Sequence, residues 1–126
     1  MKYEDLYKDF IAMFPEDICF FKEKENETGA DVTDGIHVVF GMVVVSYVTK
    51  IVKESPDKAQ KAFAFFEKME TAEDPKIAEV LEFTVLEHLL TDDADLAQIY
   101  ANFFGKETRK AAIEVGKWYK QKVHDM

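Results

Sequence analysis

The sequence has few of the residues on which disulfide-rich, metal-binding and low-complexity proteins depend. Its one cysteine, Cys19, excludes a disulfide within the chain and a zinc site built on cysteine pairs. Five glycines and three prolines in 126 residues exclude collagen-like and Pro/Gly-rich disordered chains. A lone thiol fits a reducing compartment, and the polar residues 1–5 predict no signal peptide. We therefore expect a cytoplasmic protein, with Cys19 as a small core residue.

Basic residues are also in the minority. The chain has 25 Asp and Glu against 16 Lys and Arg, which gives a formal net charge of −9. Nucleic acid is not the expected partner, because a phosphate backbone selects clustered Lys and Arg. Acidic residues dominate in 1–35 and 54–96, whereas 97–126 is net basic. Such a surface either keeps the protein soluble or binds a basic protein.

The sequence lacks a long uncharged hydrophobic run. The longest apolar segment, residues 36–52, contains His37, Ser46 and Lys50, whereas a bilayer span needs roughly 20 largely uncharged residues. We therefore expect no membrane segment. The valines of this stretch favour strands, but apolar and polar residues do not alternate, and no central Asn-Gly or Asp-Gly turn occurs. Apolar residues on every side are typical of a central helix, which we predict here, with strands as the alternative.

Apolar residues recur at helical spacing through most of the remaining chain. Ser55-Pro56-Asp57 and Asp74-Pro75-Lys76 each place a capping side chain before a proline at the first helical position. Gly105 is predicted to end the sixth helix in the left-handed conformation, and residues 23–29 are predicted to form the one long loop. The pattern predicts an all-α single domain over residues 1–126, a bundle of about seven helices with a HEAT-like antiparallel helix pair in the middle.

The histidines do not have the spacing of a helical metal site. His37, His88 and His124 are far apart in the chain, and neither His-x-x-x-His nor Glu-x-x-His occurs. The sequence also has no Gly-rich phosphate loop and no nucleophile elbow. We therefore expect no enzymatic activity, no metal and no cofactor.

Polar side chains share the inward face of the fifth predicted helix. At 100° per residue, Thr84 and His88 fall within about 60° of Ile77, and Glu87 lies beside that face. Glu70 lies near the edge of the apolar stripe of the preceding helix. Buried ionisable groups cost several kcal/mol unless they are paired, so we predict an enclosed, hydrogen-bonded inward cluster. It either fixes the helix register or forms a small ligand pocket; its members are Glu70, Thr84, Glu87 and His88.

Acidic residues also gather at predicted helix ends. If neighbouring helices run antiparallel, the links around residues 54–57 and 91–95 lie at one end of the bundle. Helix capping explains only some of these acids. We predict that five of them form an acidic rim that binds a basic protein partner, and the members of this rim are Glu54, Asp57, Asp92, Asp93 and Asp95.

Residues 34–40 (DGIHVVF), 65–69 (FFEKM) and 80–87 (VLEFTVLE) resemble a family of small, uncharacterised, acidic, all-helical bacterial proteins. The Phe-Glu-Lys-Met stretch of the second segment and the Leu-Glu stretches of the third also resemble those of immunity proteins, which neutralise polymorphic or contact-dependent toxins. The resemblance implies a rigid helical protein whose acidic surface blocks a basic toxin domain. We therefore expect a non-enzymatic immunity-type binding protein. The alternatives are a small-ligand sensor or enzyme that uses Glu70, Glu87 and His88, and an adaptor module of a larger assembly.

Overall fold

The computed structural model describes residues 1–92 and 96–124, with side chains up to residue 117. The helices of these ranges confirm the predicted all-α single domain, since no strand occurs in them. Short 3₁₀ turns precede three of the helices, at Tyr3–Asp5, Pro15–Asp17 and Val32–Asp34. The seven helices are α1 (Leu6–Ala12), α2 (Ile18–Thr28), α3 (Ile36–Glu54), α4 (Pro56–Glu70), α5 (the consecutive segments Pro75–Val80, Leu81–Leu86 and Glu87–Thr91), α6 (Ala97–Ala101) and α7 (Lys106–His124).

Two of the helices contain a π-helical segment. In α3 it spans Phe40–Val44, and in α5 it spans Leu81–Leu86. The two segments pack against each other. A π-helical turn closes on the fifth residue instead of the fourth, so the residues that follow it are rotated relative to those of a regular α-helix. The prediction of one helix over residues 36–52 is therefore confirmed, with a local change of winding.

The core is rich in aromatic side chains. The ring of Phe10 lies between six other rings at centroid distances of 5.3 to 6.4 Å, several of them edge-on. Edge-on and offset pairs place the positive ring edge against the negative ring face, which stabilises the cluster beyond its buried area. The six partners come from the link after α1 and from α2, α3 and α4: Phe14, Phe21, Phe40, Tyr47, Phe65 and Phe66.

Helix α3 lies at the centre of the bundle. Its most apolar window has a mean hydropathy of 1.6, so the helix is long and apolar enough to cross a bilayer. However, 56% of that window is buried inside the protein. Such burial is that of a core helix surrounded by others. The α3 side chains with no exposed surface are Val39, Phe40, Val43, Val44, Tyr47 and Val48.

A polar network joins the start of α2 to α3 and α4. The Tyr47 hydroxyl donates to Oδ2 of Asp17 at 2.5 Å, and Nζ of Lys58 donates to the same oxygen at 2.7 Å. The hydrogen bonds from Lys58 and Tyr47 lower the pKa of Asp17. Burial and the bond to Asp17 raise the pKa of Tyr47. This carboxylate therefore fixes three helices relative to one another.

The start signals at α4 and α5 are confirmed. Ser55 accepts a hydrogen bond from the backbone N–H of Lys58, and Asp74 accepts one from the N–H of Lys76. These side chains satisfy backbone donors that a helix leaves unpaired at its first turn. The short link before Asp74 then returns the chain so that α5 packs on α4.

Two expectations about α2 are wrong. Residues 23–29 are not a loop, because α2 continues to Thr28 and ends at Gly29, whose φ of 73° is left-handed. Ion pairs one turn apart, Lys22 with Glu25 and Lys24 with Glu27, support this polar helix. Cys19 is exposed rather than part of the core, because only one narrow side of the helix faces the other helices.

The expectation for Gly105 is also wrong, since its φ is not positive. Glycine is needed there because an added Cβ would lie 2.5 Å from Cδ of Glu67. The Glu67 carboxylate accepts hydrogen bonds from the N–H groups of Glu107 (2.9 Å) and Thr108 (2.7 Å) and from the Thr108 hydroxyl (2.8 Å). Burial raises the pKa of Glu67, but these bonds outweigh it and the pKa is lowered overall. A side chain of α4 thus caps α7.

Candidate functional site

The predicted inward cluster is not formed. Thr84 is buried and its Oγ1 lies 2.6 Å from Nδ1 of His37. The His88 side chain, however, is 45% exposed, Glu87 is exposed on another side of α5, and Glu70 lies beside Glu82. The four residues therefore do not form one enclosed cluster: Thr84 and His88 both lie beside Gly41, whereas Glu87 and Glu70 lie elsewhere.

The π-helical segment of α5 explains the difference. The projection at 100° per residue assumes a regular helix, whereas the wider turn over Leu81–Leu86 shifts the inward face by about one residue. Leu89 consequently takes the buried position that the projection gives to His88, with only 2% of its surface exposed. Glu87 is rotated outward by the same shift.

His88 borders an open groove of about 620 Å³ between α3 and α5. Its Nδ1 lies 2.8 Å from Oδ2 of Asp92; a neutral ring that donates from Nδ1 has Nε2 free to accept a hydrogen bond. Gly41 lets α3 approach this ring, because a Cβ there would lie 3.3 Å from Cγ2 of Thr84 and 3.4 Å from Nε2 of His88. The groove is in the size range of small-ligand sites.

The hydroxyl groups of this groove are bound within the protein. Ser46 donates to the Met42 carbonyl and Thr49 to the Val45 carbonyl, so neither is bonded to His88 as a nucleophile would be. Among residues 1–92 and 96–124, no group of three or more His, Cys, Asp or Glu side chains could hold a metal ion. The groove therefore presents apolar side chains, internally bonded hydroxyl groups and the His88 ring to its interior.

The described members of the acidic rim face different surroundings. Glu54 pairs with Lys50 at 2.7 Å, and Asp57 is exposed in the first turn of α4. Asp92 lies 2.8 Å from Nδ1 of His88 and borders the groove, whose lining on α3 runs from Gly41 to Thr49 and does not include Glu54. Asp93 and Asp95 lie outside the residues that the structure describes.

An exposed aromatic residue lies on another side of α5. The Phe83 side chain is 62% exposed and borders a hollow of about 340 Å³ between α5 and α7. Ala111 and Val115 of α7 supply the apolar part of its lining. We call this surface the Phe83 hollow, and its lining residues are Glu82, Phe83, Glu87, Ala111, Glu114 and Val115.

Sequence reasoning missed this surface, although a signal was present. At 100° per residue Phe83 lies about 120° from Ile77 and about 40° from the outward residue Glu79. A single exposed apolar residue is ordinary on a protein surface, whereas one that borders an apolar hollow enlarges a patch of the kind that marks interaction sites.

Glu82 also connects the hollow to Glu70 of α4. Burial, with the hydrogen bond to Glu82 and the negative charges of Glu82, Glu67 and Glu107, raises the pKa of Glu70 to about 8. Two carboxyl groups can share a hydrogen bond only if one of them is protonated, so the pair holds a proton near neutral pH. Oε2 of Glu70 is enclosed and has no hydrogen-bond partner among the described residues.

A family model described as Domain of unknown function (DUF7674) matches residues 7–124. The chain belongs to this family. The match runs from α1 to the end of α7, so all of the helices described above belong to the DUF7674 domain. A comparison with curated proteins finds no similar protein, and a comparison with solved structures finds no similar fold. The expected uncharacterised family is confirmed at this level.

Proposed function

We propose that this DUF7674 domain is a non-enzymatic binding protein that holds a basic protein partner at the Phe83 hollow. The observation that supports this function best is the 62% exposure of Phe83. Exposed aromatic side chains next to a concave apolar surface are the usual anchors of protein interfaces.

The charge around the hollow indicates the kind of partner. Glu82, Glu87 and Glu114 line it, beside the apolar Ala111 and Val115. An apolar centre with acidic residues around it complements an apolar side chain flanked by Lys or Arg. We therefore infer a basic protein segment rather than a nucleic acid, whose phosphates would be repelled.

The most specific form of the proposal is an immunity-type protein that acts in the bacterial cytoplasm and blocks a toxin domain. Its support is the resemblance of residues 65–69 and 80–87 to immunity proteins. The second segment contains Glu82, Phe83 and Glu87, which line the hollow. The Leu-Glu stretches of this segment thus supply two of the lining residues, Glu82 and Glu87.

Stopped-flow binding to a basic toxin domain encoded beside this gene tests the proposal. We expect Phe83→Ala to speed dissociation at least tenfold, because an anchor side chain contributes about 2 kcal/mol or more. Changing Glu82, Glu87 and Glu114 together to Gln should slow association and weaken its dependence on salt. Ile18→Ala, at a residue of α2 that is 41% exposed, is the matched control.

The acidic rim provides the competing location for the same function. Changing Asp92, Asp93 and Asp95 together to Asn should leave association unchanged if the partner binds at the Phe83 hollow. Slower association of this triple variant, with normal binding by Phe83→Ala, would place the partner on the acidic rim instead. A partner bound equally well by all variants would contradict an acidic binding surface altogether.

A small-ligand sensor is the second candidate, and the groove beside His88 supports it. Titration of small-molecule fragments, followed by amide NMR shifts, would detect such a site. We expect shifts around Gly41 and His88 that His88→Ala abolishes and His37→Ala retains, because His37 does not line the groove. Unchanged spectra throughout the fragment series would contradict this second function.

A further inference from the structure

We propose that the groove beside His88 binds a small organic ammonium ion, a protonated amine with an apolar body. The ammonium group donates a hydrogen bond to Nε2 of His88, and the body lies along the apolar side chains of the groove. The inference rests on the second candidate function, for which it names the ligand class. It does not depend on the partner at the Phe83 hollow.

The Asp92 carboxylate fixes the tautomer of His88. Its Oδ2 lies 2.8 Å from Nδ1 of the ring, and because an ionised carboxylate can only accept a hydrogen bond, Nδ1 carries the proton. Nε2 of the neutral ring is then an acceptor. A Cβ at position 41 would lie 3.4 Å from this nitrogen. Glycine at that position therefore leaves the space next to Nε2 open to a ligand.

The hydroxyl groups that line the groove donate their protons within the protein. Thr28, Ser46 and Thr49 each donate to the backbone carbonyl four residues earlier, at 2.7 to 3.0 Å. Because the Thr49 proton is used in this way, the Tyr100 hydroxyl, 3.3 Å from Oγ1 of Thr49, is the donor of that pair. With Nδ1 of His88 also bonded, every side-chain donor among the described lining residues has an acceptor in the protein. The groove thus offers a ligand lone pairs rather than donors.

The charge of the groove favours a cation. Its lining, over the part of the chain that the structure describes, contains the carboxylate of Asp92 and neither Lys nor Arg. The net charge of −9 adds a field that attracts cations to the whole protein. An ammonium group has several N–H donors, a positive charge and no acceptor, so it complements this lining. A carboxylate or phosphate would lose its hydration without gaining a donor.

The apolar part of the lining indicates the body of the ligand. Met42 is 49% exposed, and its flexible thioether side chain can adapt to different shapes. Val45 and Leu89 also line the groove. From Gly41 to Thr49 the α3 side of the groove is about 12 Å long. A short hydrocarbon or aryl group fits this length and the volume of about 620 Å³.

A matched series of hexyl probes tests the ligand class. Hexylammonium is the probe, and its controls are hexanoate, which is an anion, 1-hexanol, which is a neutral donor, and hexyltrimethylammonium, a cation without an N–H group. Amide NMR titration at pH 8 gives a dissociation constant for each. We expect hexylammonium to cause saturable shifts at Gly41 and Leu89. Each control should bind about tenfold more weakly or less, because a hydrogen bond between charged and polar groups is lost.

Variants of the protein locate the site. His88→Ala removes the acceptor, and Gly41→Ala places a methyl group 3.4 Å from Nε2, so each should weaken hexylammonium binding about tenfold. Asp92→Asn keeps an acceptor oxygen for Nδ1 but removes the negative charge, and should weaken binding by a smaller factor. Glu23→Gln removes an exposed carboxylate of α2 and is the matched control. It should bind hexylammonium normally, as should Phe83→Ala.

The outcomes separate this inference from the proposed functions. Hexanoate, hexanol or hexyltrimethylammonium binding as tightly as hexylammonium would overturn the ammonium class and leave a ligand groove in place. Hexylammonium binding that neither His88→Ala nor Gly41→Ala weakens would overturn the site. Absence of binding by every probe would overturn the inference and count against the sensor function. The partner at the Phe83 hollow is tested separately, because Phe83 does not line the groove.

Discussion

The carboxylate of Glu67 occupies the space that a side chain at Gly105 would need. A Cβ at position 105 would lie 2.5 Å from Cδ and 2.7 Å from Oε1 of Glu67. Because the same carboxylate binds the first N–H groups of α7, the absence of a side chain at position 105 allows α4 to cap α7. The placement of α7, and with it one wall of the Phe83 hollow, depends on this pair.

The first prediction concerns that pair. Gly105→Ala should displace the Glu67 carboxylate and lower the free energy of unfolding by about 1–2 kcal/mol, the usual contribution of a helix cap. Glu67→Ala should have a similar cost. The double variant should lose much less than the sum, because the two changes remove the same interaction. Urea unfolding of the four proteins measures this, and strictly additive losses would argue against the coupling.

The second prediction concerns Asp17. The hydrogen bonds from Lys58 and Tyr47 lower the pKa of Asp17. The stabilising contribution of its carboxylate is therefore present above the unfolded pKa of about 3.9. It is lost as the pH falls through the lower pKa of the folded protein. Asp17→Asn should therefore cost about 1 kcal/mol at pH 7, a value reduced by solvent screening, and less near pH 3. Unfolding at both pH values, with the exposed Glu23→Gln as control, tests it. An equal cost at both values would rule out a charge-dependent role.

The third prediction concerns Glu70. Its pKa is raised from 4.5 to about 8, so its stabilising contribution is fully present below pH 4.5 and is lost as the pH rises through 8. Wild-type stability should fall over this range. Glu70→Gln keeps the neutral form at both pH values. The difference in unfolding free energy between this variant and wild type should therefore shift in favour of the variant by about 1 kcal/mol from pH 5 to pH 9, after allowance for partial exposure. Parallel stability curves of the two proteins would contradict a raised pKa.

The fourth prediction compares neighbours on α5. A regular helix predicts a loss of about 1–3 kcal/mol for His88→Ala, the penalty for buried hydrogen-bond partners. The observed winding exposes His88 and buries Leu89, so His88→Ala should cost less than about 1 kcal/mol, and Leu89→Ala about 2–4 kcal/mol. Thermal or urea unfolding of both variants decides between the two windings. The reverse order of losses would indicate a regular helix.

Local signals in the sequence predicted much of the fold. Ser55 and Asp74 mark helix starts because their side chains bind backbone N–H groups only a few residues away. The length of α2 was missed because polar residues 23–28 have no apolar face. That part of the helix is supported instead by a contact with a distant residue, the hydrogen bond from the Tyr7 hydroxyl to Glu25 at 2.8 Å. Local patterns do not contain such contacts.

The candidate site was harder to predict for a related reason. The inward cluster was placed with a constant rotation per residue, and the π-helical segment of α5 departs from it. That segment packs on its counterpart in α3, so its winding depends on an interaction between residues about forty positions apart. Phe83 and Glu82 could be assigned to the outward side of α5, but their proximity to Ala111 and Val115 depends on the position of α7.

The paired π-helical segments also limit how the length of this chain can change. The π-helical turn at Phe40–Val44 already absorbs about one extra residue. Insertion of a further residue there would turn everything after it on α3 by about 100° relative to what precedes it. Tyr47 would then lose Asp17, and Thr49 would turn away from Tyr100, its neighbour at 3.3 Å. Insertions among members of this family should therefore collect in the links between helices, such as residues 71–74, and spare the interiors of α3 and α5.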